Sequence, residues 1–117
     1  MNSLCEVKRQ IENDKAHWAL YLMDFVDDFR YYHDVQAISE PLARDNEQLD
    51  ALLASTAEYL CDELALPSPE WLEEVPPCSV PYFVSGVESL KSFTLAQSPA
   101  RFRIRKIFVL ENFLSRV

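Results

Sequence analysis

The sequence predicts a mainly α-helical single domain, residues 1–117, with a short β segment near the C-terminus. Apolar side chains recur at steps of three and four over long stretches, which is the spacing of one helix face. The chain contains one glycine, Gly86, so the tight turns that an all-β fold needs are disfavoured. Apolar residues make up 49% of the 117, which is enough to build the core of one domain of this length.

An apolar stripe predicts one long helix over residues 4–32. Ser3 and Glu6 have the spacing of a capping box, so the helix should begin near Leu4. At about 1.5 Å per residue it would be roughly 40 Å long, more than the other helices of so small a domain could cover, so we expect a partner to cover part of it. The stripe consists of Leu4, Val7, Ile11, Trp18, Leu22, Phe25, Phe29 and Tyr32.

A second helix is predicted to start at Ser39-Glu40-Pro41 or at Asp45, and to end by Leu66, before Pro67. Its apolar stripe contains Leu42, Leu49, Leu52, Leu53, Thr56, Leu60 and Leu64. Four acidic side chains are expected to face mostly away from that stripe: Asp50, Glu58, Asp62 and Glu63.

Five prolines lie from Pro67 to Pro81, and 67–86 is therefore interpreted as a connection. It joins an acidic two-helix part, 1–66, to a C-terminal part, 87–117, which contains a helix and a basic–aromatic segment. Within it, Ser68-Pro69-Glu70 predicts one short helix, and Trp71 is expected to anchor the connection to the core. Helical spacing returns over 85–97.

Two structures fit the residues that follow Ser98-Pro99. One is a short helix from Ala100 to about Arg105, followed by a brief strand at 107–110, where the side chains are β-branched and aromatic. The other is an amphipathic strand throughout, because charged and apolar side chains alternate from Arg101. The sequence leaves both open.

Charge is divided unevenly along the chain. Residues 1–97 carry 18 acidic and 6 basic side chains, a net charge of −12, whereas 98–117 carry 1 acidic and 5 basic side chains, a net charge of +4. The basic tail can bind a partner of opposite charge, or it can pack against the acidic body of its own molecule. The two interpretations have equal weight at this point.

No metal, cofactor or membrane site is predicted. Cys5, Cys61 and Cys78 are odd in number and widely spaced, so they are interpreted as reduced thiols, and neither His17 nor His33 lies near a cysteine in sequence. The chain contains no apolar run of the ~18 residues that span a bilayer and no secretory signal pattern. We therefore expect a cytoplasmic protein.

Catalysis is not expected either. Asp24, Asp27 and Asp28 stand at helical spacing, but opposite an apolar stripe they are interpreted as a solvated face. Asp14 and His17 resemble half of a di-iron site whose other half is missing from the sequence. A nucleophile with an adjacent base and a third orienting group cannot be assembled from these residues.

A cluster of basic and aromatic side chains is the candidate partner-binding site. The net charge of −8 argues against direct binding of nucleic acid, so the arginines are expected to pair with carboxylates of a protein partner or of this protein's own helices. The candidate residues are Tyr82, Phe83, Arg101, Phe102, Arg103, Arg105, Lys106, Phe108 and Arg116.

Residues 81–117 also resemble a segment of a small bacterial antitoxin-like family, in which the pattern reads approximately Ser-Pro-x-x-Phe-Arg-x-Arg-x-Ile-Phe-Val and then Asn-x-Leu-x-Arg. Residues 49–75 look like the part that precedes this segment in longer members. The residues that carry the resemblance are Pro81-Tyr82-Phe83, Gly86, Glu88-Ser89-Leu90, Leu95-Ala96-Gln97-Ser98-Pro99, Phe102-Arg103, Arg105, Ile107-Phe108-Val109, Asn112, Leu114 and Arg116-Val117.

The resemblance implies a protein that neutralises a cognate toxin, often a nucleotidyltransferase-like one. Independently of the resemblance, we expect a monomer or a homodimer. Some relatives carry a helix-turn-helix domain ahead of this segment, but the first helix here is not one, so direct DNA binding is not expected. One alternative is an acidic, phage-type inhibitor or adaptor whose 1–97 surface competes with nucleic acid for a basic protein surface. A second alternative is an unrecognised enzyme.

Overall fold

The computed structural model describes residues 1–84 and 91–115, with the side chains of 92 and 93 left aside. The predicted fold class is confirmed, since the described residues form five α-helices and a two-stranded parallel sheet. The elements are α1 (Leu4–Asn13), α2 (Trp18–Tyr32), α3 (Glu47–Leu64), β1 (Tyr82–Phe83), α4 (Lys91–Gln97), α5 (Ala100–Arg103) and β2 (Ile107–Phe108). Short 3₁₀ helices lie at Lys15–His17, Val35–Ile38 and Glu70–Glu74.

The prediction of one long N-terminal helix is wrong, because the chain breaks at Asp14. The predicted start is confirmed: Ser3 and Glu6 form a capping box, and α1 begins at Leu4. Asp14 leaves the helical region with φ −148° and ψ 75°, and its carboxylate accepts a hydrogen bond from the Tyr21 hydroxyl at 2.7 Å. Short polar side chains favour such breaks because they offer alternatives to the helical hydrogen bonds. Helix α2 then packs against α1, so each helix is covered by the other and its length gives no reason to expect a partner.

Helix α3 is the central element of the fold. Asn46 caps its start, with its side-chain oxygen 3.2 Å from the Leu49 amide, and Ala65 ends it in the left-handed conformation. Helices α1, α2 and α5 and the 3₁₀ helix at Glu70–Glu74 all pack against it. The prediction that its acidic side chains face mostly away is therefore wrong for Asp50 and Glu58, which are 3% and 1% exposed.

The proline-rich connection is tied to the core as predicted. Its short helix forms at Glu70–Glu74, and the indole N–H of Trp71 donates to the carbonyl of Ile38 at 2.9 Å. This bond joins two 3₁₀ helices that lie 33 residues apart in sequence, so the connection has a defined path over the core.

Of the two structures that the sequence left open after Pro99, the structure has the first, a short helix followed by a brief strand. Helix α5 ends at Arg103, and β2 follows and pairs in parallel with β1, in the register Tyr82 to Ile107 and Phe83 to Phe108. Parallel strands need a crossover connection, which here includes α4 and α5. The start predicted for the 85–97 helix lies outside the described residues. Among the residues described, no helix is long and apolar enough to cross a bilayer.

Candidate partner-binding site

The basic segment, defined here as residues 101–106, leaves α5 and runs to the start of β2. Its four basic side chains do not share one face. Arg105 is 4% exposed and Arg101 is partly buried, whereas Arg103 and Lys106 are exposed. Arg101 and Arg105 therefore pack against the protein's own acidic helix, while Arg103 and Lys106 face solvent.

Arg105 is fixed inside the molecule by two separate parts of the chain, α3 and the short helix of the connection. Its guanidinium forms an ion pair with the buried carboxylate of Glu58 on α3. Its Nη2 donates to the carbonyl of Leu72 at 2.5 Å and its Nε to the carbonyl of Val75 at 3.1 Å. A planar guanidinium with several directed donors can satisfy such a set of acceptors, whereas an ammonium cannot reach them in the same geometry. We call this arrangement the Arg105 clamp.

Arg101 also binds α3, closer to solvent. Its Nε and Nη2 donate to the two carboxylate oxygens of Asp62 at 2.8 and 3.1 Å, and its Nη1 lies 3.3 Å from Glu58. The hydrogen bonds to Asp62 raise the pKa of Arg101 above its ordinary value. Glu58 thus receives two arginines of the basic segment, which offset the cost of burying its charge.

Three side chains of the segment project into solvent, and we call them the exposed triplet: Arg103, Ile104 and Lys106. Ile104 is 62% exposed, although it is large and apolar. Lys106 has φ 60°, a left-handed conformation that costs a non-glycine residue about 1–2 kcal/mol. Backbone bonds hold this turn, from the Lys106 amide to the Arg103 carbonyl at 2.9 Å and from the Tyr82 amide to the Lys106 carbonyl at 2.8 Å.

The aromatic candidates lie mostly inside the fold. Phe102 is 1% exposed, and Phe108 is 9% exposed and stacks on Phe83 with 5.2 Å between ring centroids. The Lys91 ammonium lies 5.0 Å from the centroid of Phe83. The stacked rings of Phe83 and Phe108 belong to the two paired strands, while Phe102 contacts Tyr59 and Phe113. Arg116, the remaining candidate, lies outside the described residues.

Tyr82 is half-buried and lines a cleft of about 220 Å³. Burial raises the pKa of its hydroxyl. The cleft lies between α1, the beginnings of α2 and α3, and β1, and its lining is Ile11, Glu12, Lys15, Trp18, Asn46, Gln48, Leu49, Leu52 and Tyr82. Its lining mixes apolar and polar side chains.

A second buried ion pair was not anticipated from the sequence. The ammonium of Lys8, on α1, lies 2.8 Å from Asp50 and 2.5 Å from Asp45, and it donates to the carbonyl of Ala43 at 2.5 Å. Burial acts to lower the pKa of Lys8, but the hydrogen bonds to the two carboxylates outweigh it, and the pKa is raised. One signal was present: small residues lie between the leucines of α3, as expected of a helix buried on all sides.

The other polar clusters considered from the sequence are local. His17 Nδ1 lies 2.9 Å from the carboxylate of Asp14, which also accepts a hydrogen bond from the Tyr21 hydroxyl. The hydrogen bond from Tyr21, followed by the one from His17, lowers the pKa of Asp14. Within 1–84 and 91–115, no three His, Cys, Asp or Glu side chains are grouped so that they could hold a metal ion. Cys5, Cys61 and Cys78 are free, and burial raises the pKa of all three thiols.

No family model, no curated protein and no solved structure matches this chain. The resemblance to antitoxin-like proteins therefore rests on the motif in residues 81–117. Two positions of that motif, Phe102 and Arg105, are core positions in this fold, and Arg103 between them is exposed.

Proposed function

We propose that the protein binds a cognate toxin protein and neutralises it by covering its active site. The observation that supports this proposal is the exposed triplet, two cations beside an isoleucine that is 62% exposed, on a turn held by the Arg105 clamp. The partner that the resemblance implies is a nucleotidyltransferase-like toxin.

The triplet has the composition of an interface centre. Cationic side chains next to an apolar anchor carry much of the binding free energy in many protein complexes. The buried clamp fixes the backbone after Ile104 and α5 fixes it before, so less conformational entropy is lost when the partner binds. The left-handed Lys106 is consistent with this role, because backbone strain is often held at binding sites.

Charge then determines the orientation of the complex. The triplet is a positive site on a molecule of net charge −8, so the electric field favours approach of the acidic part of a partner to this turn. Ile104 would insert into an apolar recess, and the two cations would pair with carboxylates around that recess. The acidic body of the inhibitor would then lie over the toxin and exclude its substrate.

The test is co-expression with the protein encoded by the neighbouring gene, followed by calorimetry on the purified pair. Replacing Arg103 and Lys106 together by Ala should weaken binding by at least ~2 kcal/mol, because their charge pairs are desolvated in the complex. A matched control is Arg9→Ala with Arg44→Ala, which removes two positive charges from exposed positions elsewhere. Equal affinities for the two double variants would reject the triplet as the binding site, and a neighbouring protein that forms no complex would reject the antitoxin proposal.

A further inference from the structure

The C-terminal end of α2 presents two adjacent aromatic side chains to solvent. Tyr31 is 80% exposed and Tyr32 is 61% exposed. Their rings meet edge to face, with 4.8 Å between centroids and an interplanar angle of 85°. Single exposed apolar residues are normal in folded proteins, whereas adjacent large ones mark interaction surfaces.

The surroundings of this aromatic pair are negatively charged. Asp28 precedes Tyr31 and Tyr32 by three and four residues, so its carboxylate lies on the same side of the helix, one turn away. Within the described part of the chain, Asp28 makes no hydrogen bond or ion pair, so its charge is available. The carbonyl groups at the end of α2 add a partial negative charge.

The nearest cation of the helix does not neutralise this site. Arg30 donates from Nε and Nη2 to the carboxylate of Glu63 at 2.8 and 2.9 Å, and from Nη1 to the carbonyl of Leu114 at 2.6 Å. Its charge is therefore committed to α3 and to the C-terminal turn. The aromatic pair faces solvent beside a carboxylate that has no positive partner among residues 1–84 and 91–115.

We propose that Asp28, Tyr31 and Tyr32 form a docking site for an arginine side chain within a basic segment of a partner protein. A guanidinium can stack on a tyrosine ring while its edge donates two parallel hydrogen bonds to a carboxylate. Lysine offers a compact, strongly hydrated ammonium and cannot make both contacts in this way. An anionic partner is repelled here, and a purely apolar one would desolvate Asp28 without compensation. This site is separate from the exposed triplet and does not depend on the proposed toxin.

The test uses two fluorescein-labelled probes, nona-arginine and nona-lysine, and measures fluorescence anisotropy against the full chain. At about 0.15 M salt, attraction between distant exposed charges is largely screened. The wild-type protein should bind nona-arginine about threefold to fivefold more tightly than nona-lysine, since the stacking contribution at an exposed site is of that size. Replacing Tyr31 and Tyr32 by Ala should abolish this preference, while replacing both by Phe should retain most of it.

The carboxylate is tested by Asp28→Asn against Glu70→Gln, which makes the same charge change at an exposed position elsewhere, whereas Asp28 is partly buried. Asp28→Asn should weaken nona-arginine binding about threefold more than Glu70→Gln does, because only Asp28 would pair directly with the guanidinium. Equal effects of these two variants, or an unchanged arginine preference after both tyrosines become Ala, would overturn the proposal. The Arg103→Ala, Lys106→Ala variant should keep the preference for nona-arginine over nona-lysine. The proposal for this site can therefore fail without the toxin-binding proposal failing, and the reverse.

Discussion

The two buried acids of α3 are neutralised by opposite ends of the chain, and in different ways. Asp50 binds Lys8 from α1, whose ammonium also contacts the exposed carboxylate of Asp45. Glu58 binds Arg105 of the basic segment, which also holds two backbone carbonyls. All four side chains are almost fully buried, but Lys8 also meets an exposed carboxylate, whereas Arg105 also donates to two backbone carbonyls inside the protein. Similar ion pairs should therefore contribute unequally to the free energy of folding.

The largest effect is expected from Arg105→Ala. This change leaves the carboxylate of Glu58 with only the longer contact to Arg101 and the carbonyl of Val75 without its arginine donor, while the Leu72 carbonyl keeps the Val75 amide. Removing one partner of a buried pair costs about 3–5 kcal/mol, so the free energy of unfolding should fall by that amount. Urea denaturation followed by circular dichroism measures the change.

A second variant distinguishes the ion pair of Arg105 with Glu58 from the hydrogen bonds of Arg105 to backbone carbonyls. Replacing Glu58 by Leu and Arg105 by Met removes both charges together, which proteins often tolerate. The double variant should recover much of the stability that Arg105→Ala loses. If it is less stable than the single variant, the arginine acts through its carbonyl contacts rather than through Glu58.

Lys8→Met should cost less, about 2–3 kcal/mol, because the backbone amide of Asn46 still donates to Asp50 after the ammonium is gone. The apolar stem of the lysine is preserved in this variant. Denaturation in the same urea series compares the two losses directly. A loss as large as that of Arg105→Ala would remove the distinction between the two pairs.

Alkaline pH should weaken the N-terminal pair selectively. The raised pKa of Lys8 means that its contribution to stability is fully present below its ordinary value of 10.5 and is lost as pH rises through the raised pKa. The difference in unfolding free energy between wild type and Lys8→Met should therefore shrink above that pH. A difference that stays constant across this range would show that the ammonium stays protonated or contributes little.

The exposed ion pair between Arg44 and Glu74 provides the smallest effect. The two side chains are 51% and 68% exposed and 3.4 Å apart, so screening by water leaves the pair little net energy. Arg44→Ala should change the unfolding free energy by less than about 0.5 kcal/mol in urea denaturation. A larger loss would mean that burial is not what distinguishes the ion pairs of this protein.

Local sequence patterns were sufficient to predict several elements. Ser3 and Glu6 identified the start of α1, because capping depends on neighbours in sequence. Ser68-Pro69-Glu70 located the short helix in the connection, but Pro69 rather than Ser68 is its N-cap and no side-chain capping bond forms. The break at Asp14 was missed because the apolar residues on either side, Ile11 and Trp18, remain in phase with one helix.

The candidate site was harder to predict because its contacts are distant in sequence. Arg105 meets Glu58 across 47 residues, and nothing near either residue distinguishes this arginine from Arg103. The sequence grouped Arg101, Arg103 and Arg105 in one candidate binding site because they are close in the chain. In the structure, the end of α5 and the turn at Lys106 point their side chains in different directions. Only the path of the backbone separates the clamp from the exposed triplet.

The division of the basic segment is tested most directly by urea denaturation of the Arg103→Ala, Lys106→Ala variant beside Arg105→Ala. We expect the double variant to unfold within about 0.5 kcal/mol of wild type, as exposed substitutions usually do, while Arg105→Ala loses about 3–5 kcal/mol. Far-UV circular dichroism before denaturation should show the same helical signal for wild type and the double variant. If the double variant instead loses as much stability as Arg105→Ala, the triplet is structural and the segment has no free binding face.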